Sequence, residues 1–136
     1  MILFRPVGLR ELQLIADANF RAHPPRLPDQ PIFYPVLNFE YARQIAEGWN
    51  TRYNDPPCGF ITRFEIEDDY SKQFNTETVG ARENQELWIP AEMLEDFNAH
   101  MVGKITIEAA YYGSNFSGEI HPETNLPTSL RMEGNQ

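Results

Sequence analysis

Three residues of this sequence have side chains that can bind a ligand or take part in a reaction. Each also has apolar neighbours that could hold it in place. Arg5 and Tyr34 each lie in an apolar segment and are followed by a proline, and Glu86 directly precedes the apolar triplet 87–89. A guanidinium suits phosphate, a tyrosine ring packs against planar groups, and a fixed carboxylate stabilises developing positive charge. Each residue also has a structural alternative: an outward residue on an edge strand, a core aromatic and a solvated carboxylate, respectively.

The histidines and the cysteine do not form a catalytic or metal-binding set. His23, His100 and His121 are far apart in the sequence, and none has a ligand-like neighbour at helical or turn spacing, which predicts no metal site. From the sequence, no histidine or other base can be assigned as a partner of Cys58, the single cysteine. We interpret Cys58 as a small buried residue, the usual role of a free cysteine.

Composition limits the classes of protein to which this chain can belong. The chain has 136 residues, 41% of them hydrophobic, which predicts one globular domain with its own core. The formal net charge of -9 argues against binding along a nucleic-acid backbone but permits a small anionic ligand held by a few arginines. The single cysteine fits a reducing compartment, the first residues do not resemble a signal peptide, and no apolar run has the length of a membrane helix. We therefore expect a soluble, cytoplasmic protein.

Hydrophobic periodicity predicts strands and helices in the order β-α-β-α-β-(α)-β-β-α-β over residues 1–113. Strands dominate the second half and helices the first, so the pattern favours an α+β domain over a doubly wound sheet. Glu86 would stand where the strand at 87–89 begins. The apolar faces of these segments predict a core of Leu9, Leu12, Phe39, Ala46, Trp49, Phe64, Trp88, Leu94, Phe97 and Ile107.

The periodic pattern stops after residue 113. Residues 114–136 are rich in Ser, Asn, Glu, Pro and Gly and contain only isolated apolar residues. A segment without a periodic apolar face has little to bury. We therefore interpret residues 114–136 as a flexible polar tail that is dispensable for folding.

The order of the three candidate residues resembles that of the ADP-ribosyltransferase fold. That family distributes Arg-Ser-Glu or His-Tyr-Glu over a first, a second and a later strand, and Arg5, Tyr34 and Glu86 occur in that order here. The segments that carry the resemblance are 3–9, 32–37 and 84–90. The chain also resembles short bacterial proteins with a loosely assigned ADP-ribosylation label. The resemblance implies one ADP-ribosyltransferase-like α+β domain over residues 1–113, with a split, mostly antiparallel sheet and flanking helices.

The resemblance also implies a chemistry. The protein would consume NAD, cleave its nicotinamide–ribose bond and transfer ADP-ribose to an acceptor that could be a protein, without a metal. Glu86 would stabilise the positive charge that develops on the ribose, and Arg5 would hold ribose or pyrophosphate. Tyr34 would pack against the nicotinamide ring. Arg26, on the stiff proline-rich loop 23–31, would make a second phosphate contact.

A non-catalytic module on the same fold is the alternative. Such a module would bind a nucleotide, or its acidic surface would meet a basic protein. An enzyme requires Arg5, Tyr34 and Glu86 to line one cleft, whereas a binding module does not require Glu86 there. The position of Glu86 relative to Arg5 therefore distinguishes the two functions.

Overall fold

The computed structural model describes residues 1–132 as an α+β arrangement of antiparallel sheets and short helices, which confirms the predicted class. The strands are β1 (Ile2–Val7), β2 (Ile32–Phe33), β3 (Cys58–Ile66), β4 (Asn75–Thr78), β5 (Gln85–Pro90) and β6 (Met101–Tyr112). The helices are α1 (Leu9–Asp17), α2 (Phe39–Ile45), α3 (Thr51–Tyr53), α4 (Asp68–Ser71) and α5 (Leu94–Ala99). A π-helical turn (Ala46–Asn50) links α2 to α3, and a 3-10 turn (Ala91–Met93) precedes α5.

The strands form two three-stranded sheets that are joined at one residue. The sheet orders are β1-β3-β6 and β2-β5-β4, and all pairings are antiparallel. Val36 exchanges two backbone hydrogen bonds with Phe4, of 2.8 and 2.9 Å, and bridges Glu86 on its other side. Since paired residues of neighbouring strands project from the same face, Phe4, Val36 and Glu86 form one row across the joined layer.

Alternation along β1 divides the buried residues between the two faces of this layer. Leu3 and Val7 belong to the main core cluster. Phe4 packs with the smaller cluster around Val36 and Ala42, which α2 covers. The main core cluster covers one face, and α2 with the smaller cluster covers the other. A charged residue on β1 or β5 therefore has different neighbours on each face.

Half of the predicted core residues are fully buried. The residues with almost no exposed surface are Leu12, Ala46, Phe64, Leu94 and Phe97, and Leu9 and Ile107 are half-buried against the main cluster. Apart from Ala46, which begins the π-helical turn, the fully buried residues come from segments with regular strand or helix geometry. Their burial confirms the periodicity of α1, α5 and β3 in particular.

Three aromatic residues assigned to the core are exposed instead. Phe39, Trp49 and Trp88 keep 38%, 58% and 39% of their surface accessible. Phe39 is the first residue of α2, and Trp88 alternates with the buried Leu87 and Ile89 on a strand that is not buried on both faces. Trp49 lies in the π-helical turn, which does not continue the 3.6-residue period of α2.

The helices are short and cover the strand layer. α1 spans 9 residues and lies against β3, and α2 spans 7 residues and lies against β1 and β3. No helix among residues 1–132 is long and apolar enough to cross a membrane.

Residues 114–132 pack against the rest of the chain. Leu130 is buried in the main core cluster, and an antiparallel bridge folds the segment back on itself. The side chain of Gln13 on α1 accepts a hydrogen bond from the backbone N–H of Arg131 at 2.9 Å and donates to its carbonyl oxygen at 3.0 Å. This packing differs from the expected flexible tail, and residues 133–136 of that predicted tail lie outside the described residues.

Candidate functional site

Arg5 is held on the core face of β1 by an ion pair with the helix that follows. It alternates with Leu3 and Val7 on that face and is only 8% exposed. Its Nε and Nη2 atoms donate to the two carboxylate oxygens of Glu11, in the first turn of α1, at 2.6 and 3.0 Å. The guanidinium carbon also lies 4.7 Å from the ring centre of Phe33, within the range of a cation–π contact. Arg5 is therefore an inward residue, and its outward alternative is wrong.

Arg26 reaches the same region from the proline-rich loop and has no carboxylate partner. Its Nε atom donates to the carbonyl oxygen of Ile32 at 3.2 Å, and its guanidinium lies 5.6 Å from the ring centre of Tyr34. No carboxylate of residues 1–132 forms an ion pair with it. Burial lowers the pKa of Arg26, the positive charge of Arg5 lowers it further, and Glu11 and Tyr34 offset part of this lowering. A bound anion would relieve this repulsion between the two guanidiniums.

Arg5, Arg26 and Tyr34 line one pocket of about 390 Å³. This volume falls within the usual range of small-molecule sites, which is roughly 300–1,000 Å³. Glu11 also lines the pocket, but its carboxylate is already paired with Arg5. Tyr34 is exposed rather than packed in the core. The pocket therefore offers two cations and one engaged carboxylate, a net positive site in a protein of net charge -9.

Glu86 does not line this pocket. It belongs to the row that contains Phe4 and Val36, whereas Arg5 alternates with Phe4 along β1. Because successive side chains of a strand point to opposite faces, Glu86 projects from the face opposite to Arg5. Of the residues predicted for the site, the structure brings Arg5, Tyr34 and Arg26 together and leaves Glu86 apart from them.

Glu86 is enclosed by two neutral hydrogen-bond donors. The hydroxyl of Tyr41 on α2 donates to its Oε2 atom at 2.6 Å, and the Nε1 atom of Trp88 donates to its Oε1 atom at 2.9 Å. Glu86 is 7% exposed, so its alternative role as a solvated carboxylate is wrong. Burial and the hydrogen bond to Glu86 raise the pKa of Tyr41, which keeps this hydroxyl protonated. The arrangement ties β5 to α2.

The buried histidine and the cysteine fit structural roles. His23 lies between Phe33 and Phe64, with ring centres at 4.7 and 4.5 Å. Burial, followed by the charge of Arg5, lowers the pKa of His23 well below 6.5. Burial raises the pKa of the Cys58 thiol to about 11, as expected for an inert buried cysteine. In the described part of the chain, no group of three or more His, Cys, Asp and Glu side chains could hold a metal ion.

Several residues of the pocket carried no recognisable signal in the sequence. Glu11 has the pattern of a solvent-facing residue of α1, and only the reversal of the chain between β1 and α1 brings it to Arg5. Trp49 fitted a helical apolar stripe. Asn50 and Asn54 lie in a polar stretch typical of a turn, yet both line the pocket.

Comparison with known proteins gives no relative from which a function could be transferred. Protein-family models, curated proteins and solved structures all return no match to this chain. The residues that line the pocket are therefore the basis for the function.

Proposed function

We propose that this protein binds a small phosphate-bearing ligand in the pocket at Arg5, Arg26 and Tyr34, without cleaving it. The proposal depends above all on the two arginines that line one pocket, of which only Arg5 has a carboxylate partner. Arg26 uses Nε for the carbonyl oxygen of Ile32 and lies beside Tyr34, and the rest of its donor fork can meet a ligand. A guanidinium presents these donors as a planar fork that matches phosphate oxygens.

The surroundings of Arg26 strengthen its attraction for an anion. The side chain is half-buried, and charges attract each other more strongly where water is partly excluded. The contacts with Ile32 and Tyr34 orient the guanidinium before a ligand arrives. A group that is already ordered loses less conformational entropy when the ligand binds.

The position of Glu86 favours binding over transfer. A carboxylate that stabilises a ribosyl cation must reach the ribose of bound NAD. Glu86 lies on the other face of the strand layer from Arg5, and Tyr41 and Trp88 occupy both of its oxygens. Its contacts fit a structural carboxylate.

The resemblance to ADP-ribosyltransferases stays a hypothesis beside this proposal. Two antiparallel sheets that, among residues 1–132, are joined at Val36 support it, because a split sheet is what the resemblance implies. NAD is accordingly one of the nucleotides to test.

Thermal melting and calorimetric titration with AMP, NAD and inorganic pyrophosphate test the proposal. A ligand that binds only the folded protein raises its melting temperature. We expect stabilisation by AMP or NAD, and a loss of about tenfold or more in affinity when Arg26→Ala removes a charge-assisted phosphate contact. Arg21→Ala is the matched control, because Arg21 is an exposed arginine near the same loop but outside the pocket.

Two outcomes would overturn the proposal. Absence of binding by all three ligands would show that the pocket does not take phosphates. The second outcome is that the wild type releases nicotinamide from NAD and that Glu86→Gln, with an unchanged melting curve, does not. This result would show transferase chemistry instead of simple binding.

A further inference from the structure

The end of α2 departs from regular helical geometry where it meets the pocket. Ala46–Asn50 forms a π-helical turn, a rare geometry that is frequent at functional sites. Gly59 of β3 permits its close approach, since a Cβ atom there would lie 2.6 Å from the Asn50 Cβ and 2.8 Å from the Ala46 carbonyl oxygen. The turn places two consecutive side chains, Trp49 and Asn50, in the lining of the pocket.

Asn50 is a buried amide without its full set of hydrogen bonds. The residue is 8% exposed, and its Oδ1 atom has no hydrogen-bond partner among residues 1–132. An unpaired buried amide oxygen is destabilising, and because Oδ1 is itself enclosed, a ligand can supply the missing bond only when the amide rotates and turns this atom toward the pocket. Because rotation of the amide exchanges its NH₂ and C=O groups, Asn50 can offer a donor or an acceptor to the ligand.

Trp49 is the exposed aromatic residue beside this amide. The residue keeps 58% of its surface accessible although it lines the pocket. The ring of Tyr53 lies 4.3 Å away between ring centres and supports the indole from the side of α3. A supported and accessible aromatic ring suits stacking with a planar ligand.

We propose that Trp49 and Asn50 recognise the base of the nucleotide, while the arginines hold its phosphate. This inference rests on the proposed function and specifies the ligand as a nucleoside phosphate rather than a sugar phosphate or an inorganic phosphate. A nucleobase is planar and uncharged, and it carries donors and acceptors along its edge. An indole next to an unpaired amide provides a stacking surface and a hydrogen-bonding partner for these two features.

Calorimetric titration with AMP, CMP and ribose 5-phosphate isolates the contribution of the base, because all three ligands carry the same sugar phosphate. We expect at least one of the two nucleotides to bind about tenfold more tightly than ribose 5-phosphate. Trp49→Leu and Asn50→Ser should each reduce the affinity of that nucleotide by about fivefold to tenfold and leave ribose 5-phosphate unaffected. Phe39→Leu is the matched control, an exposed aromatic residue of α2 outside the pocket.

The outcomes separate this inference from the proposed function. Equal affinities of the wild type for all three ligands would show that the base is not recognised, while phosphate binding would still hold. A parallel loss of ribose 5-phosphate affinity in both variants would mean that the turn only shapes the pocket, which contradicts the inference. If none of the ligands binds, both the inference and the proposed function are wrong.

Discussion

Arg5 and Glu86 are buried charged residues on opposite faces of one strand layer, and their surroundings differ in kind. Arg5 is paired with an opposite charge, Glu11, and borders an open pocket. Glu86 is paired with two neutral donors, Tyr41 and Trp88, and lines no part of that pocket. The two residues are almost equally buried, so burial alone does not identify a functional charge.

The difference shows which of the two charges is available to a ligand. An arginine beside a pocket can turn part of its donor fork to an incoming anion while Glu11 keeps it in place. A carboxylate whose two oxygens already accept hydrogen bonds within the fold has to lose one of them before it can act on a substrate. We therefore expect changes at Arg5 to affect both stability and binding, and changes at Glu86 to affect stability alone.

The largest expected effect comes from separating the ion pair. Arg5→Met leaves the half-buried Glu11 without its counter-charge and should lower the free energy of unfolding by about 3 kcal/mol, measured by chemical denaturation. The double variant Arg5→Met/Glu11→Leu should recover most of this loss, because a buried ion pair and an apolar pair of similar volume are often comparably stable. Neither variant should bind AMP normally. A double variant as unstable as the single one would argue against the ion pair as the cause.

A smaller effect is expected on the opposite face. Glu86→Gln removes the negative charge that Tyr41 and Trp88 contact and should lower the free energy of unfolding by about 1–2 kcal/mol. Tyr41→Phe should have a similar effect, and the double variant should lose less than the sum of the two because the residues share one hydrogen bond. Strict additivity in denaturant melts would contradict the contact, and a change in AMP affinity would contradict its purely structural role.

The two faces should also differ in their response to mild acid. His23 lies on the face of Arg5 and stays neutral in the folded protein because its pKa is well below 6.5. The unfolded chain binds a proton at this histidine below about pH 6.5, so the free energy of unfolding should fall with decreasing pH by up to about 1.4 kcal/mol per pH unit. His23→Phe should remove this component, and the difference between its denaturation curves and those of the wild type from pH 7 to 5 isolates it. Identical pH dependence would contradict a buried neutral histidine.

The smallest effect on stability is expected at Trp49. The sequence placed this residue in the core, but its exposure predicts that Trp49→Ala lowers the free energy of unfolding by less than about 1 kcal/mol. Denaturant melts of this variant and of Phe97→Ala, at a fully buried aromatic, give the comparison. A loss at Trp49 as large as that at Phe97 would show that the π-helical turn depends on the indole.

Regular periodicity is the part of the fold that could be predicted from the sequence. The alternation in β3 and the helical spacing in α1 and α5 depend on local geometry alone, and these segments pack as expected. Trp49 was misplaced because the π-helical turn interrupts the period of α2. No residue type in this segment predicts such a turn. Trp88 was misplaced because a short apolar triplet does not reveal whether a strand is buried on one face or on both.

The candidate site could be predicted only in part, for a related reason. The arginine and aromatic residues next to strand ends and the stiff loop indicated three of the residues that line the pocket, Arg5, Arg26 and Tyr34. The face of Glu86 depends on the register in which Val36 joins β1 to β5, a long-range pairing that local sequence does not encode. The contact between Arg5 and Glu11 likewise depends on how α1 turns back on β1.

Parallel calorimetric titration of AMP into Arg26→Ala and Glu86→Gln tests most directly whether the pocket, and not the buried carboxylate, provides the function. Melting curves of both variants establish that each is folded at the temperature of the titration. We expect Arg26→Ala to lose about tenfold or more in affinity and Glu86→Gln to bind as the wild type does. Normal binding by Arg26→Ala together with lost binding by Glu86→Gln would contradict the assignment and move the site to the surroundings of Glu86.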